Sequence, residues 1–151
     1  MTMIEQEYRN ILVPVDGSKA AEIALERATE IALRNKAHLD ILNVIDLKQF
    51  SVSFAGMIDA NGDVVYQTFE DVDGYVAKLV GRVKKQGLTD VSAHVRFGSP
   101  RSVIAREFPA DHKNDLIVMG PTGLNPVERL LVGSVTDYVT RAAASDVIIA
   151  R

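Results

Sequence analysis

ILVPVDGS, Ile11 to Ser18, is an unbroken apolar run that stops on Asp-Gly-Ser. A strand with one wet face alternates apolar and polar residues. A run that is apolar at every position suits a strand buried on both faces, as at the centre of a parallel sheet. Ser18 can then cap a helix in which Ala21, Ala24, Leu25, Ala28, Ile31 and Ala32 recur at helical spacing. Glu22 falls in the first turn, where the helix dipole favours an acid. HLDILNVID, His38 to Asp46, reads as a second strand, so Ile11 to Asp46 has the length of a βαβ unit with a right-handed crossover.

Farther along, Phe69, Val72, Val76, Leu79, Val80 and Val83 form a helix stripe between Phe69 and Gln86, weakened by Gly74 and Gly81 and closed by Gly87. In VSAHVRFG, Val91, Ala93, Val95 and Phe97 alternate with Ser92, His94 and Arg96, the pattern of a strand at a sheet edge with one buried face. Ser99 and Pro100 fit the cap and first position of another helix, which Pro109 helps to stop. DLIVMG, Asp115 to Gly120, is a second continuously apolar strand. A helix from about Ser134 carries Val135, Tyr138, Val139 and Ala142 on one face, and DVIIAR is a short last strand.

This alternation predicts an α/β three-layer sandwich over residues 1–151, with four helices covering a five-stranded parallel sheet. The two fully apolar strands should be central neighbours, which the order 3-2-1-4-5 satisfies. That order puts a topological switch point between strands one and four, where ligands bind beyond the carboxyl ends. Asp16 and Gly120 both fall there. Residues 47–67 make too long a stretch for an ordinary loop. Asn61-Gly62, between MIDA and DVVY, suits the turn of a small hairpin. The segment reads either as a mobile flap over the crevice or as a surface excursion.

With 151 residues, 47% of them hydrophobic, the chain can bury one sizeable core and is too short to suggest two domains. A net charge of −3 argues against a nucleic-acid or anionic-membrane surface. The absence of cysteine removes disulfides, thiolate metal sites and thiol nucleophiles. MTMIEQEYRN does not read as a secretory signal, and no apolar run approaches the ~20 residues of a membrane span, so a cytoplasmic location is expected.

MGPTGLNPVERLLVGSV, Met119 to Val135, carries the chemistry. Gly120 and Gly123 follow a buried strand, nine residues intervene, and Gly133-Ser134-Val135 opens a helix. Bare backbone at both ends can cradle a phosphate, since a helix N-terminus offers unpaired N–H groups and a favourable dipole. The same glycines can simply permit a tight turn and close helix packing, with Asn125 capping a short turn begun by Pro126. Neither GxxxxGK[ST] nor GxGxxG is present.

Gly120-x-x-Gly123, nine residues, then Gly133-Ser134-Val135 resembles the ATP-binding signature of the universal stress protein family, and the similarity runs from ILVPVDGS through DVIIAR. The resemblance implies an adenine nucleotide alpha hydrolase-like fold, usually homodimeric, with ATP (or ADP or AMP), and Mg²⁺ with it, at the switch point. By position, Pro14, Val15 and Asp16 would border adenine and ribose, and the backbone of Val44 would read the adenine edge. Met119, Gly120, Thr122, Gly123 and Asn125 would follow ribose and phosphates, and Gly133, Ser134 and Val135 would hold the outer phosphates. Pro121 departs from the family pattern and removes one backbone donor. Asn43 stands where a histidine is common.

Asp16 is also the candidate Mg²⁺ ligand, beside its plain role in the Asp-Gly-Ser turn. His38, His94 and His112 have no spacing that forms a metal set or triad and are read as surface residues. No catalytic residues are identified, because no general base converges on the crevice. The strand Asp146 to Arg151 would be an exposed edge through which a homodimer could pair. Three functions follow: a nucleotide-binding regulator in stress responses, a slow ATPase or autophosphorylating enzyme, or a nucleotide-free dimerisation module.

Overall fold

The computed structural model of the chain describes residues 7–46, 48, 63–123 and 132–151. Within them, strand β1 (Asn10–Pro14) leads through helix α1 (Lys19–Asn35) to β2 (His38–Ile45). Helix α2 (Asp63–Lys85) precedes β3 (Val91–Phe97). Helix α3 runs through three consecutive segments, Pro100–Ser102, Val103–Glu107 and Phe108–His112, and is followed by β4 (Leu116–Met119), α4 (Ser134–Ala142) and β5 (Asp146–Ile149). The strands form one parallel sheet in the order β3-β2-β1-β4-β5. This is the expected order, and the two apolar strands are neighbours with Ile11 beside Leu116.

The unbroken apolar run in β1 reflects two cores. Ile11, Val13 and Val15 face one way and pack with Ala24, Leu25 and Ala28 of α1 and Val76, Leu79 and Val83 of α2. Leu12 faces the other way and packs with Val103, Ile104 and Phe108 of α3 and Val139 of α4. Burying each such side chain contributes about 1.5–3 kcal/mol, so polar residues on either face of β1 would be costly. Ser18 caps α1 as expected, its Oγ accepting the Ala21 N–H at 3.1 Å.

Two boundaries differ from the sequence reading. Helix α2 begins at Asp63, so residues 63–67 are helical and DVVY is the first turn of α2, not a hairpin strand. The hairpin reading rested on Asn61-Gly62 as a turn signal between MIDA and DVVY. The helix is instead held by i,i+4 bonds from Thr68 to the Val64 carbonyl and from Gln67 to Asp71, and by Phe69 stacked on Phe97 at 6.0 Å. Residues 47 and 49–62, the remainder of the expected flap, lie outside the described residues. The second difference is that Pro109 does not stop α3. Proline lacks an N–H and collides with the carbonyl four residues back. The helix accommodates it by widening into a π turn over Val103–Glu107, where the Phe108 N–H reaches the Val103 carbonyl, and it ends at Lys113 in the left-handed region.

Candidate functional site

The site begins where neighbouring strands stop at different heights. The β1–β2 ladder ends at Pro14 beside Leu42, whereas the β2–β3 ladder continues through Asn43, Val44 and Ile45. In a parallel strand the N–H and C=O of one residue point to the same side and alternate along the chain. The Leu42 carbonyl faces β1, accepting the Val15 N–H at 2.8 Å, and the Ile45 carbonyl faces β3, accepting from Gly98 at 3.0 Å. Val44 therefore turns both of its backbone groups toward β1, beyond the last β1 residue, into the crevice. Asn43 contributes its side chain, donating at 2.8 Å to the Val15 carbonyl and fixing the chain as it leaves β1.

That chain turns at once. Asp16 Oδ1 accepts the Ser18 N–H at 3.0 Å around Gly17, whose φ of +87° is a glycine conformation. The other carboxylate oxygen faces Gly123, where a Cβ would sit 2.6 Å from Asp16 Oδ2. Gly120 is equally confined: a Cβ there would lie 2.9 Å from the backbone carbonyl and Cβ of Ala20 in the first turn of α1. Gly133 differs. Its nearest neighbours for a Cβ are Thr122 Cα at 3.4 Å and the Pro121 carbonyl oxygen at 3.5 Å, which is ordinary contact.

The two ends of the glycine motif are tied together. Gly133 donates to the Pro121 carbonyl at 2.6 Å, and Thr136 Oγ1, buried in the first turn of α4, donates to the Gly120 carbonyl at 2.9 Å. Proline at 121 thus gives up a donor but supplies the acceptor that closes the loop. The N-cap of α4 is Gly133 itself, with no side-chain cap. The N–H groups of Ser134, Val135 and Thr136 are those that an α-helix leaves unbonded in its first turn.

These pieces enclose a cleft of about 490 Å³ at the carboxyl ends of β1, β2 and β4, within the usual size of small-molecule sites. Of the sequence candidates, Pro14, Val15, Asp16, Val44, Met119, Gly120, Thr122, Gly123, Gly133, Ser134 and Val135 all line it. Asn125, like Pro126, lies outside the described residues. Sequence reasoning missed the contributions of Asp46, Pro100, Ile104 and Thr136. Thr136 had a signal in Gly-Ser-Val-Thr, but Pro100 and Ile104 reach the cleft from α3, which no local motif announces. Among the described lining residues the charged groups are Asp16 and Asp46, so an anion here would be met by backbone N–H groups and would favour an accompanying cation.

The three histidines are not simply surface residues. The face of β3 that carries His94 is covered by α3, and the imidazole packs edge-on against Phe108 at 4.9 Å and His112 at 4.7 Å. Asp40, 2% exposed in β2, accepts from His38 Nε2 at 2.9 Å, His94 Nε2 at 2.8 Å and Asn114 Nδ2 at 3.0 Å. Burial alone would raise the Asp40 carboxyl, but the hydrogen bonds from His94, Asn114 and His38 outweigh it and hold the group below the ordinary carboxylate range. Burial pulls His38 down, and its bonds to Asp90 and Asp40 more than reverse this, leaving it raised. The alternation in β3 was legible, but the polar face was misread as the wet one because a helix bearing Phe108 and His112 covers it.

Comparison with known proteins agrees with the architecture. The model of the universal stress protein family matches residues 7–151. A relative from Staphylococcus aureus (strain USA300), assigned to the same family, is 40% identical over 148 residues, covering 95% of this chain and 84% of its own. A solved universal stress protein from Lactobacillus plantarum is 33% identical with a TM-score of 0.74, covering 97% of this chain and all of that one. A universal stress protein solved in complex with cAMP is 27% identical with a TM-score of 0.64, covering 97% of this chain and 98% of that one. The chain belongs to the universal stress protein family.

Proposed function

We propose that the cleft binds an adenine nucleotide, ATP (or ADP or AMP) accompanied by Mg²⁺, and that the protein acts as a cytoplasmic, nucleotide-responsive regulator in stress responses, as a homodimer paired through Asp146 to Arg151. One observation carries the reading. Two sets of backbone groups without a ladder or helix partner face the same cleft, the N–H and C=O of Val44 on one side and the first turn of α4 on the other. The first set matches the donor-acceptor edge of adenine. The second suits phosphate, with a dipole contribution of about 0.3–1 kcal/mol per charge and more where partly buried. The cAMP bound by a related protein supports the class of ligand.

The residues present fit the magnesium that phosphates would bring, since Asp16 Oδ2 stands against the bare Gly123 at the phosphate wall. There Asp16 would accept ribose hydroxyls or help hold the ion, while Mg²⁺ would offset phosphate charge in a cleft without a described cationic side chain. The phosphates would bridge the end of β4 to α4, which Pro121 and Thr136 already tie together. β5 is the strand next to β4, so a ligand clamped there acts one strand from the proposed dimer edge.

The test is to denature freshly purified protein, identify any released small molecule by mass spectrometry, and measure thermal shifts with ATP, ADP, AMP and cAMP, with and without Mg²⁺. Finding no released nucleotide and no shift with any of them defeats the proposal. The rival reading, a slow ATPase or autophosphorylating enzyme, gains if γ-labelled ATP gives steady phosphate release or a labelled protein that disappears in a Gly133 variant.

A further inference from the structure

We infer that Asp40, His94 and His112 form a binding site for a divalent transition-metal ion of the Zn²⁺ class, beneath the last turn of α3 and separate from the nucleotide cleft. One ligand atom from each residue lies within 4.8 Å of the others. Around Zn²⁺, with bonds of about 2.1 Å, tetrahedral ligand atoms stand roughly 3.4 Å apart, so small side-chain movements complete the set.

Three features distinguish this cluster from a chance meeting of polar groups. First, Asp40 is a buried carboxylate already fixed from behind: Asn114 holds Oδ2 at 3.0 Å, which leaves Oδ1 turned toward the imidazoles. Second, His38 bonds Asp40 through Nε2 and Asp90 through Nδ1 at 2.7 Å, the outer-shell arrangement that orients a metal-ligating carboxylate. Third, His112 is stacked flat on Phe108, with ring centroids 4.0 Å apart, and has no hydrogen-bond partner among the described residues. Its ring is positioned by packing, while its nitrogens remain available.

The hydrogen now shared by His94 Nε2 and Asp40 Oδ1 marks the position that the ion would take. His94 is 26% exposed, which leaves room for a water as fourth ligand. Two nitrogens and one carboxylate oxygen suit Zn²⁺ and its neighbours in the first transition series far better than Mg²⁺, which prefers oxygen ligands. Occupancy would pin the end of α3 (His112) to β2 (Asp40) and β3 (His94).

The experiment titrates untagged, chelator-treated protein with Zn²⁺ by calorimetry, and with Co²⁺ to record the visible bands of a low-symmetry site. Wild type should bind one ion. His112→Gln, which breaks no hydrogen bond of the Asp40 network, should lose the Co²⁺ bands and weaken Zn²⁺ at least as much as an outer-shell change, about 10–100-fold. His38→Gln should weaken Zn²⁺ by about that factor and retain the bands. Circular dichroism confirms that each variant is folded, and AMP binding, read by thermal shift without Mg²⁺, should be unchanged in both. Absence of Zn²⁺ binding in wild type, or equal affinity in wild type and folded His112→Gln, overturns the site.

Discussion

Gly120 and Gly133 belong to one motif, yet the structure gives them different reasons to lack a side chain, and alanine at each separates fold from ligand. In Gly120→Ala the new methyl would lie 2.9 Å from the carbonyl carbon, oxygen and Cβ of Ala20. Two of these atoms are backbone in the first turn of a helix, so relief requires moving α1 against β4. Overpacking of that kind costs about 1–3 kcal/mol. For a chain of this size each kcal/mol lowers Tm by about 2–4 °C, giving a fall of roughly 2–12 °C. In Gly133→Ala the methyl meets its neighbours at 3.4–3.9 Å, and φ −70°, ψ 162° is open to any residue. Alanine is the poorer N-cap by about 1 kcal/mol, and the less flexible unfolded chain returns about 0.4–1 kcal/mol. The net change in stability is near zero.

The methyl would nonetheless stand in the cleft beside the first turn of α4, where phosphate is proposed to bind. Losing one charge-assisted hydrogen bond there costs about 1.5–3 kcal/mol, a factor of roughly 10–150 in affinity. Denaturant unfolding and ATP·Mg²⁺ calorimetry on both variants make the comparison. The reasoning is refuted if Gly133→Ala binds ATP within twofold of wild type, or if Gly120→Ala unfolds at the wild-type midpoint.

Other expectations follow from single contacts. Gly81→Ala, in the middle of α2 with nothing within 4 Å of the added Cβ, should raise stability by about 0.5–1 kcal/mol, read as a higher urea midpoint. Thr136→Val keeps the shape but leaves the Gly120 carbonyl without its 2.9 Å donor, so stability should fall by about 1–3 kcal/mol; an unchanged midpoint would show that the tie is dispensable. Asp16→Asn retains an acceptor for the Ser18 N–H and removes the charge facing Gly123. Stability should hold while ATP affinity with Mg²⁺ drops about tenfold, a change of about 1.4 kcal/mol, and equal affinity would restrict Asp16 to the turn. In β5, Ala150 donates to Met119, so Ile149 points its N–H out of the sheet. Ile149→Pro should therefore spare the β4 ladder and convert the proposed dimer to monomer in sedimentation velocity.

Strand order was legible because burial on both faces leaves a one-dimensional trace. A strand without a polar position is covered on both faces, which suits the centre of a parallel sheet, and this placed the runs at Ile11 and Leu116 side by side. The crevice followed from that order, and with it the meeting of Asp16, Gly120 and Gly133. What could not be read was any quantity that depends on two elements approaching each other. Gly120 looks identical in the sequence whether it avoids Ala20 or invites phosphate, and the 2.9 Å clash shows that packing already requires it, whatever else binds. Gly133 has no such demand on it, so it is the glycine whose presence argues for a ligand. The same limit explains Asp40. In the sequence it is one polar interruption in an apolar strand, while its partners lie two residues back at 38 and far along the chain at 94 and 114. A buried carboxylate is sustained only by donors brought to it. Those donors come from β2, from β3 and from the turn after α3, so the cluster exists only once the sheet and its covering helix have assembled.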